Sequence, residues 1–226
     1  MDAKDEAPRG AVAEAGPAAR RRSQRDRREQ SGSGLVEAVV AIVSEEGVAA
    51  ATFEAIGRRA GYSRSLVTQR FGSRQGLIDA VIERASASFA DVALERPIED
   101  LTGLEALLLS VEVFLTRLAE SRELRTYFLM LAGSVAELSD LRAVFAAQHD
   151  RVKANLMTLI AMGQADGSIR PEVDAESAAL MIGSLQLGVS VQLLVNPQTA
   201  VEPILRTTLA TIRTAFGAGC APSTQE

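Results

Sequence analysis

The chain has too few histidines and cysteines for the commonest catalytic and metal sites. Among its 226 residues there is one histidine, His149, and one cysteine, Cys220. These two cannot supply a Cys/His zinc site, and no disulfide can form within the chain. With a single histidine there is no evident Ser-His-Asp set, and neither GxxxxGK nor GxGxxG occurs. We therefore expect no enzyme activity, no metal and no cofactor, and the lone thiol fits the reducing cytoplasm.

Aromatic residues are also scarce, at 4% with no tryptophan, whereas hydrophobic residues make up 47%. The apolar positions recur at helical spacing, which predicts an all-α protein. One stretch, Ser177 to Ala200, contains no charged residue and is long enough to span a bilayer. It contains Gln186, its helical pattern stops at Asn196-Pro197, and it has no flanking Lys/Arg cluster. These features favour a helix buried in a dimer core over a membrane span. Residues 1–20 lack the apolar segment of a signal peptide.

Charge is distributed unevenly along the chain. Residues 1–30 carry eight Lys and Arg against six acids (net +2), and residues 31–76 carry five against four (net +1). Residues 77–226 carry eleven against nineteen, a net charge of −8. An acidic body behind an arginine-rich N-terminal part is the asymmetry expected of a protein that contacts DNA at one end.

Residues 1–30 are rich in Ala, Pro, Gly and Arg and have no apolar periodicity. We expect a disordered arm, because this composition buries too little apolar surface to offset the entropy of ordering. Six arginines lie in it just before the first predicted helix: Arg20, Arg21, Arg22, Arg25, Arg27 and Arg28. The run is either a solvated tail or a contact to DNA phosphates or the minor groove, and the sequence leaves both interpretations open.

Four helices are predicted between Leu35 and Leu94. The second is short and has Thr52 as its N-cap, and the third is also short and follows the N-cap Ser63. A long fourth helix begins at Arg74, after a glycine break. Two short helices joined by Ala60-Gly61-Tyr62 describe a helix-turn-helix unit.

The stretch from Leu35 to Glu83 resembles the DNA-binding domain of the TetR family of transcriptional regulators. The resemblance rests on Gly47, Thr52, Ile56-x-x-x-Ala60-Gly61-x-Ser63 and Phe71-x-Ser73-x-x-x-Leu77. It implies a ligand-responsive, cytoplasmic, homodimeric repressor that a small molecule releases from a palindromic DNA operator. The fold it implies is all-α, with a three-helix helix-turn-helix DNA-binding domain followed by a larger helical ligand-binding and dimerisation domain. We accordingly divide the chain into a disordered basic arm (1–30), a DNA-binding domain (31–76), an effector-binding and dimerisation domain (77–217) and a flexible tail (218–226).

The third helix is the predicted recognition helix. Val67 and Phe71 are one turn apart and should face inward, which leaves Ser65 and Gln69 on an outer face without an acid. Such a face can enter a major groove without repelling phosphate.

Side-chain chemistry assigns the predicted DNA contacts. Arg64 can bind guanine, Gln69 can pair with adenine, and Leu66 can meet a thymine methyl group. Arg70 and Arg74 suit phosphates, and the caps Thr52 and Ser73 mark helix amides that can bind phosphate oxygens. The predicted DNA-binding residues are Thr52, Arg64, Ser65, Leu66, Thr68, Gln69, Arg70, Ser73 and Arg74.

Among the departures from the family pattern, those at Thr68 and Gly72 affect the expected DNA contacts most. The family usually carries tyrosine where this chain has Thr68 and often proline where it has Gly72. These departures keep an alternative open, a helical small-molecule-binding or protein-interaction module without DNA binding.

Five further helices are predicted in the C-terminal part. Gly, Pro and Asp breaks place four of them at about 102–119, 122–133, 137–164 and 173–195. Capping-box patterns at Thr102–Glu105 and Thr199–Glu202 mark the starts of the first and of the last.

Most aromatic and methionine side chains of this part are candidate lining of an effector pocket. The candidate residues are Phe114, Tyr127, Phe128, Met130, Phe145, His149, Met157 and Gln186. Each is either pocket lining or plain core, and the sequence leaves both interpretations open. Apolar walls in an acidic domain predict an apolar or mildly cationic effector.

The last two helices are the predicted dimer interface, because each has an apolar stripe wider than one protomer's core requires. The predicted interface residues are Leu180, Leu187, Val191, Leu205, Leu209, Ile212 and Phe216. Two such helices from each protomer can form a four-helix bundle, in which Gly183, Ser184 and Gly188 allow close approach. A two-fold dimer then predicts a palindromic operator.

Overall fold

The computed structural model describes the backbone of residues 17–93, 100–136 and 141–219, and the side chains of residues 32–85, 100–136 and 141–219. Within these ranges the regular structure is helical, apart from an isolated bridge between Ile169 and Gly217. The predicted all-α fold is confirmed. The predicted tail residues 220–226, with Cys220, lie outside the described part.

The first four helices form an N-terminal head. They are α1 (Pro17–Glu46), α2 (Phe53–Ala60), α3 (Arg64–Phe71) and α4 (Arg74–Ala93), with a 3₁₀ turn at Val48–Ala50 between the first two. The other five helices form the body. They are α5 (Gly103–Glu120), α6 (Arg122–Ala136), α7 (Arg142–Ala165), α8 (Ala175–Val195) and α9 (Val201–Phe216).

Helix α1 begins much earlier than predicted. The prediction of a disordered arm is wrong for residues 17–30, which are helical, whereas residues 1–16 lie outside the described part. Residues 18–30 consist largely of Ala, Arg, Gln and Glu, which have high helix propensity. They need only extend a helix that the buried residues from Leu35 onward already stabilise, and extension costs far less than nucleation. Pro17 suits the first turn, where its missing N–H has no helical partner.

Side-chain caps fix several helix starts. The Thr52 hydroxyl accepts a hydrogen bond from the Ala55 amide at 3.1 Å, and both halves of the predicted capping box at Thr102 and Glu105 are present. These caps satisfy amides that have no partner within the helix.

The second predicted capping box is wrong. Helix α9 has Ala200 as its N-cap, with no side-chain hydrogen bond, so Glu202 lies one position too early in the helix to close a box with Thr199. The physical reason is the preceding turn, in which the Thr199 amide donates to the Asn196 carbonyl at 3.0 Å. Thr199 therefore completes the turn, and the helix starts one residue later.

Helix α6 lies between the head and the rest of the body. It contacts α1 and α4 on the head side and α5, α7 and α8 on the body side. Buried residues occur almost all around it: Leu124, Thr126, Tyr127, Phe128, Met130, Leu131 and Ser134. The cores of head and body are therefore continuous through this helix.

The turn after α7 is joined to the start of α5 by the Asp166 carboxylate. Its two oxygens accept hydrogen bonds from the Gly103 amide at 2.6 Å and from the Ser168 amide at 2.8 Å. The Leu104 amide donates to the Ser168 hydroxyl at 3.1 Å. Hydrogen bonds from the Ser168 side chain, the Gly103 amide and the Ser168 amide lower the pKa of Asp166 below its ordinary value of 3.8.

This lowered pKa predicts an acid-sensitive link in the fold. Because the carboxylate is stabilised only in the folded state, its contribution is complete above the unfolded-state pKa and is lost as the pH falls through the lower folded-state pKa. We expect Asp166→Ala to lower the melting temperature at neutral pH, by an amount that shrinks below pH 3.8. Thermal unfolding followed by circular dichroism measures this, with the exposed Asp79→Ala as the control. A melting difference that is equal at neutral and acid pH would contradict it.

Candidate nucleic-acid interface and effector region

Helices α2 and α3 cross at a tight turn that two glycines permit. Gly61 has φ 75°, a left-handed conformation that side-chain-bearing residues rarely adopt. A Cβ atom on Gly57 would lie 2.8 Å from the Tyr62 carbonyl oxygen, closer than Cβ atoms approach other atoms in real structures. Only glycine therefore fits at this position without a shift of the backbone. The Tyr62 amide donates to the Gly57 carbonyl at 2.8 Å. The turn thereby fixes the direction in which α3 leaves α2.

The inner side of α3 packs into the core of the head. Val67 and Phe71 are buried, together with Ile56 of α2. The rings of Phe53 and Phe71 pack with centroids 6.4 Å apart. These contacts bury the residues that the helical spacing assigned to the inner face, so the orientation of α3 about its axis is set by the core.

The outer side of α3 is exposed and carries no acid. Its side chains are Arg64, Ser65, Thr68 and Gln69, with Leu66 half-buried beside them. The Ser65 hydroxyl is bonded to the Ser63 hydroxyl at 2.8 Å, and Thr68 donates to the Arg64 carbonyl at 3.0 Å. Among the described residues, the side chains of Arg64 and Gln69 have no such partner. They are the α3 groups best able to bind bases.

A surface depression of about 530 Å³ opens next to this face. Its lining residues are Ala49, Ala51, Thr52, Phe53, Glu54, Arg64, Ser73 and Arg74. The depression therefore gathers the first residues of α2, α3 and α4. Thr52 and Ser73 cap their helices, the latter by accepting from the Gly76 amide at 3.2 Å. Helix N-termini carry partial positive charge, and with two arginines they form a surface that attracts anions despite Glu54.

Arg70 does not line this depression, and its predicted phosphate contact stays a prediction. A Cβ atom on Gly32 of α1 would lie 2.9 Å from Nη2 of Arg70 and 3.0 Å from its Nε. The guanidinium therefore lies over α1. The reason is its position on the flank of α3 that faces α1, three residues after the buried Val67. The side chains of Arg20 to Arg28 lie outside the described part, so a DNA contact by this run stays a prediction.

Four aromatic residues from three helices of the body pack together, and we call them the aromatic cluster: Phe114 of α5, Tyr127 and Phe128 of α6, and Phe145 of α7. The ring centroids of Tyr127 lie 5.0 Å from Phe128 and 5.4 Å from Phe145, and those of Phe114 and Phe128 are 6.1 Å apart. The rings are inclined or edge-on to each other, which is a favourable packing. The cluster unites four of the eight predicted effector residues.

The other predicted effector residues are divided between the body and its junction with the head. Met130 is buried, and it lines a small cavity with Val48 and Leu77 of the head, so its assignment to an effector pocket stays a prediction. It lies three residues from Tyr127, on the side of α6 that meets the head. His149 is half-buried one turn beyond Phe145, and burial lowers its pKa while Asp150 opposes the shift. Gln186 is buried and Met157 is half-buried.

The predicted dimer interface is also divided. Leu205, Ile212 and Phe216 are buried inside the protomer and cannot face a partner, which corrects their assignment. A wide apolar stripe on α9 is explained by its packing on α5. Leu180 and Val191 are exposed, at 61% and 44%, and Leu187 and Leu209 are half-buried. The structure also exposes Met181 and Val195 on the same helix, and sequence reasoning missed Met181.

Helix α8 (Ala175–Val195) is long and apolar enough to cross a membrane, with a mean hydropathy of 1.8. This is weak evidence for a membrane span, because core helices of soluble proteins pass the same test. The protomer buries one side of it, at Ala178, Ala179, Ile182, Gln186, Val189, Ser190 and Leu193. The helix is thus a core element on one side and an exposed surface on the other.

Solved structures similar to this chain share its fold. A TetR transcription regulator from Haloarcula marismortui is 19% identical, with a TM-score of 0.68, over 84% of this chain and 100% of that one. NalD, the secondary repressor of the MexAB-OprM multidrug efflux pump in Pseudomonas aeruginosa, is 18% identical, with a TM-score of 0.67, over 84% and 98%. A transcriptional regulator from Saccharomonospora viridis, solved in complex with choline, is 18% identical, with a TM-score of 0.68, over 84% and 99%. A comparison with curated proteins gave no match.

Two family descriptions match the sequence itself. Residues 35–81 match bacterial regulatory proteins of the tetR family, which corresponds to the head. Residues 103–216, half of the chain, match the C-terminal domain of BetI-type transcriptional repressors, which corresponds to the body. The predicted order of a helix-turn-helix domain and a larger helical domain is thereby confirmed. The chain belongs to the TetR family of bacterial regulatory proteins, which are DNA-binding transcriptional regulators and not enzymes.

Proposed function

We propose that the protein is a homodimeric repressor that binds a palindromic operator and is released from it by a small, largely apolar effector. The observation that carries the DNA-binding part is the depression at the N-termini of α2, α3 and α4, beside an outer face of α3 that has no acid. Members of its family are typically ligand-responsive repressors. Binding to operator DNA implies that the protein acts in the cytoplasm.

The two arginines of the depression have different roles in this proposal. Arg64 begins α3 and lies next to its outer face, so it reads a base, most favourably guanine. Arg74 begins α4, beside the Ser73 cap, and contacts a phosphate together with the helix amides. Thr52 at the start of α2 supports a second phosphate contact. Gln69, Ser65, Leu66 and Thr68 complete the surface that enters the major groove.

These roles predict different effects of removing each arginine. Arg64→Ala should weaken operator binding by about 1–3 kcal/mol and relax the preference at one base pair. Arg74→Ala should weaken all DNA sequences alike and lower the slope of log K against log salt by about one. Fluorescence anisotropy with operator DNA and single-base variants, at several salt concentrations, measures both effects. Arg206→Ala, an exposed arginine on α9, is the matched control.

Two outcomes would contradict this proposal. If Arg64→Ala and Arg74→Ala equally reduced discrimination between the operator and its single-base variants, the assignment of Arg64 to a base and Arg74 to a phosphate would be wrong. If wild-type protein failed to shift DNA from beside its own gene, or any DNA selected from a random pool, the alternative of a helical module without DNA binding would hold instead.

The homodimer is supported by the exposed side of α8. Leu180, Ser184, Gly188, Val191 and Val195 follow at intervals of three and four residues and are all exposed, so they share one side, the α8 outer face. Nothing lies within 4 Å of a Cβ atom built on Gly188 or on Gly183. The protomer therefore does not require glycine at either position, whereas a close helix crossing between two copies would use the space. A two-fold dimer through this face presents two α3 helices to half-sites of a palindrome.

The dimer is tested by adding charge to its proposed interface. The double change Leu180→Glu and Val191→Glu should convert a dimer into a folded monomer, because two copies would bring four unpaired carboxylates into an apolar contact. Sedimentation velocity without detergent measures the mass, and circular dichroism checks the fold. Gln75→Glu, an exposed position on the head, is the control. A wild type that is monomeric at micromolar concentration, or one that needs detergent, would refute the interface.

A further inference from the structure

Two hydroxyl groups on successive residues of α6 are buried without a hydrogen-bond partner among the described residues. They are Oγ1 of Thr126, a fully buried residue, and the phenol oxygen of Tyr127, which is 7% exposed. A buried hydroxyl without a partner loses its hydrogen bonds to water and gains none in return, so it is costly to retain. Phenylalanine would fill the position of Tyr127 without that cost. The presence of tyrosine there therefore points to a hydroxyl that acquires a partner in another state of the protein.

The surroundings of Tyr127 define the kind of partner. Its ring is held by Phe128 and Phe145, at 5.0 and 5.4 Å between centroids, so the apolar part of the residue is fully used in packing. Burial raises the pKa of Tyr127 to about 12, so the phenol is a neutral donor at physiological pH. What remains available is one O–H group beside aromatic rings.

Charge is absent from the described interior of the body. The buried polar residues of the described part are Thr126, Ser134, Gln186, Ser190 and Thr208, all of which are uncharged. An ion that entered this region would find no buried counter-charge, and its desolvation would be uncompensated.

Building on the ligand-responsive function proposed above, we propose that the effector is an uncharged, mainly apolar molecule with one oxygen acceptor, such as a ketone, which enters at the aromatic cluster and accepts a hydrogen bond from the Tyr127 hydroxyl. The rings are in contact with each other, so the ligand separates Tyr127 from Phe145 as it enters. Met130, three residues further along α6, lines the cavity at the junction with the head. A displacement at Tyr127 thus reaches the head within one turn of the same helix.

The experiment compares two probes on the full-length protein, acetophenone and ethylbenzene, which share a phenyl ring and a two-carbon substituent. Acetophenone carries the carbonyl oxygen and ethylbenzene does not. We expect wild-type protein to bind the ketone roughly tenfold more tightly than the hydrocarbon, the worth of one hydrogen bond to an otherwise unpaired group. Thermal shifts over a concentration series give both affinities without any use of DNA. Choline chloride is the cationic probe and should give no shift.

Two variants separate a binding role from a structural one. Tyr127→Phe should melt higher than wild type without ligand. It should bind acetophenone no more tightly than ethylbenzene, because the ketone oxygen would then be buried without a donor. Thr126→Val removes the other unpaired hydroxyl and should also melt higher, but should keep the wild-type preference for the ketone. Operator binding, measured by mobility shift without probes, should be unchanged in Thr126→Val, which carries the loss of a buried hydroxyl without the proposed effector contact.

Several results would overturn the proposal. Equal affinities of wild type for the two probes would do so, as would a ketone preference that persists in Tyr127→Phe. So would a melting temperature of Tyr127→Phe below that of wild type, or a thermal shift with choline larger than the shifts with both other probes. Failure of wild-type protein to bind DNA would overturn the proposed function, and the probe affinities would still be measured. Failure of the probe comparison with intact DNA binding would overturn the identity of the effector class alone.

Discussion

The burial of α6 between the head and the body is the constraint on which the rest of the structure depends. One side of this helix packs on α1 and α4, and the other contacts α5, α7 and α8. Arg84 of α4 reinforces the junction, because its guanidinium lies 2.8 Å from the Ser33 hydroxyl and 3.9 Å from the Glu123 carboxylate of α6. Close-packed cores transmit displacement rather than absorb it. The orientation of the head is therefore tied to the packing around α6.

Within the head, burial rather than ion pairing holds α3 and its outer face in place. Arg59 of α2 pairs with Glu45 of α1 at 2.7 Å, but both side chains are substantially exposed, and such pairs contribute about 0–1 kcal/mol. Ile56 and Val67 are fully buried at the centre of the same contact. Burying each such side chain contributes about 1.5–3 kcal/mol. The buried contacts therefore fix the orientation of α3, and the polar side chains of its outer face remain exposed.

Local signals in the sequence predicted the head better than the body. The caps at Thr52 and Ser63, together with the spacing of Val67 and Phe71, were sufficient to place α2 and α3, because helix starts and inner faces depend on neighbouring residues. The direction of Arg70 was not predictable, since it depends on the approach of α1 at Gly32. Likewise, the helical extension of α1 to Pro17 depended on a stable helix downstream rather than on the composition of the segment.

Apolar stripes posed a different difficulty, because a stripe reveals burial but not what covers it. Ile212 and Leu180 are equally apolar, yet the structure buries the first within the protomer and leaves the second 61% exposed. Only tertiary packing distinguishes an intramolecular contact from an intermolecular one. The same ambiguity affects α8 as a whole, since an uncharged helix is compatible with a core, a partner or a lipid bilayer.

The pattern of residues on α8 supports the proposed dimer over a membrane span. Its exposed side alternates large apolar residues with Ser184, Gly188 and Gln192, which bring polar groups and a helix-weakening glycine into the middle of the stripe. A helix selected to contact lipid alone gains nothing from these residues, whereas a close crossing with a second helix uses small residues for approach and polar ones for hydrogen bonds. The helix also ends in Asn196 without basic residues that would anchor it at a membrane surface. Its lack of charge therefore fits the homodimer proposed above, in which one side of α8 packs on the protomer's own core and the other on a second copy.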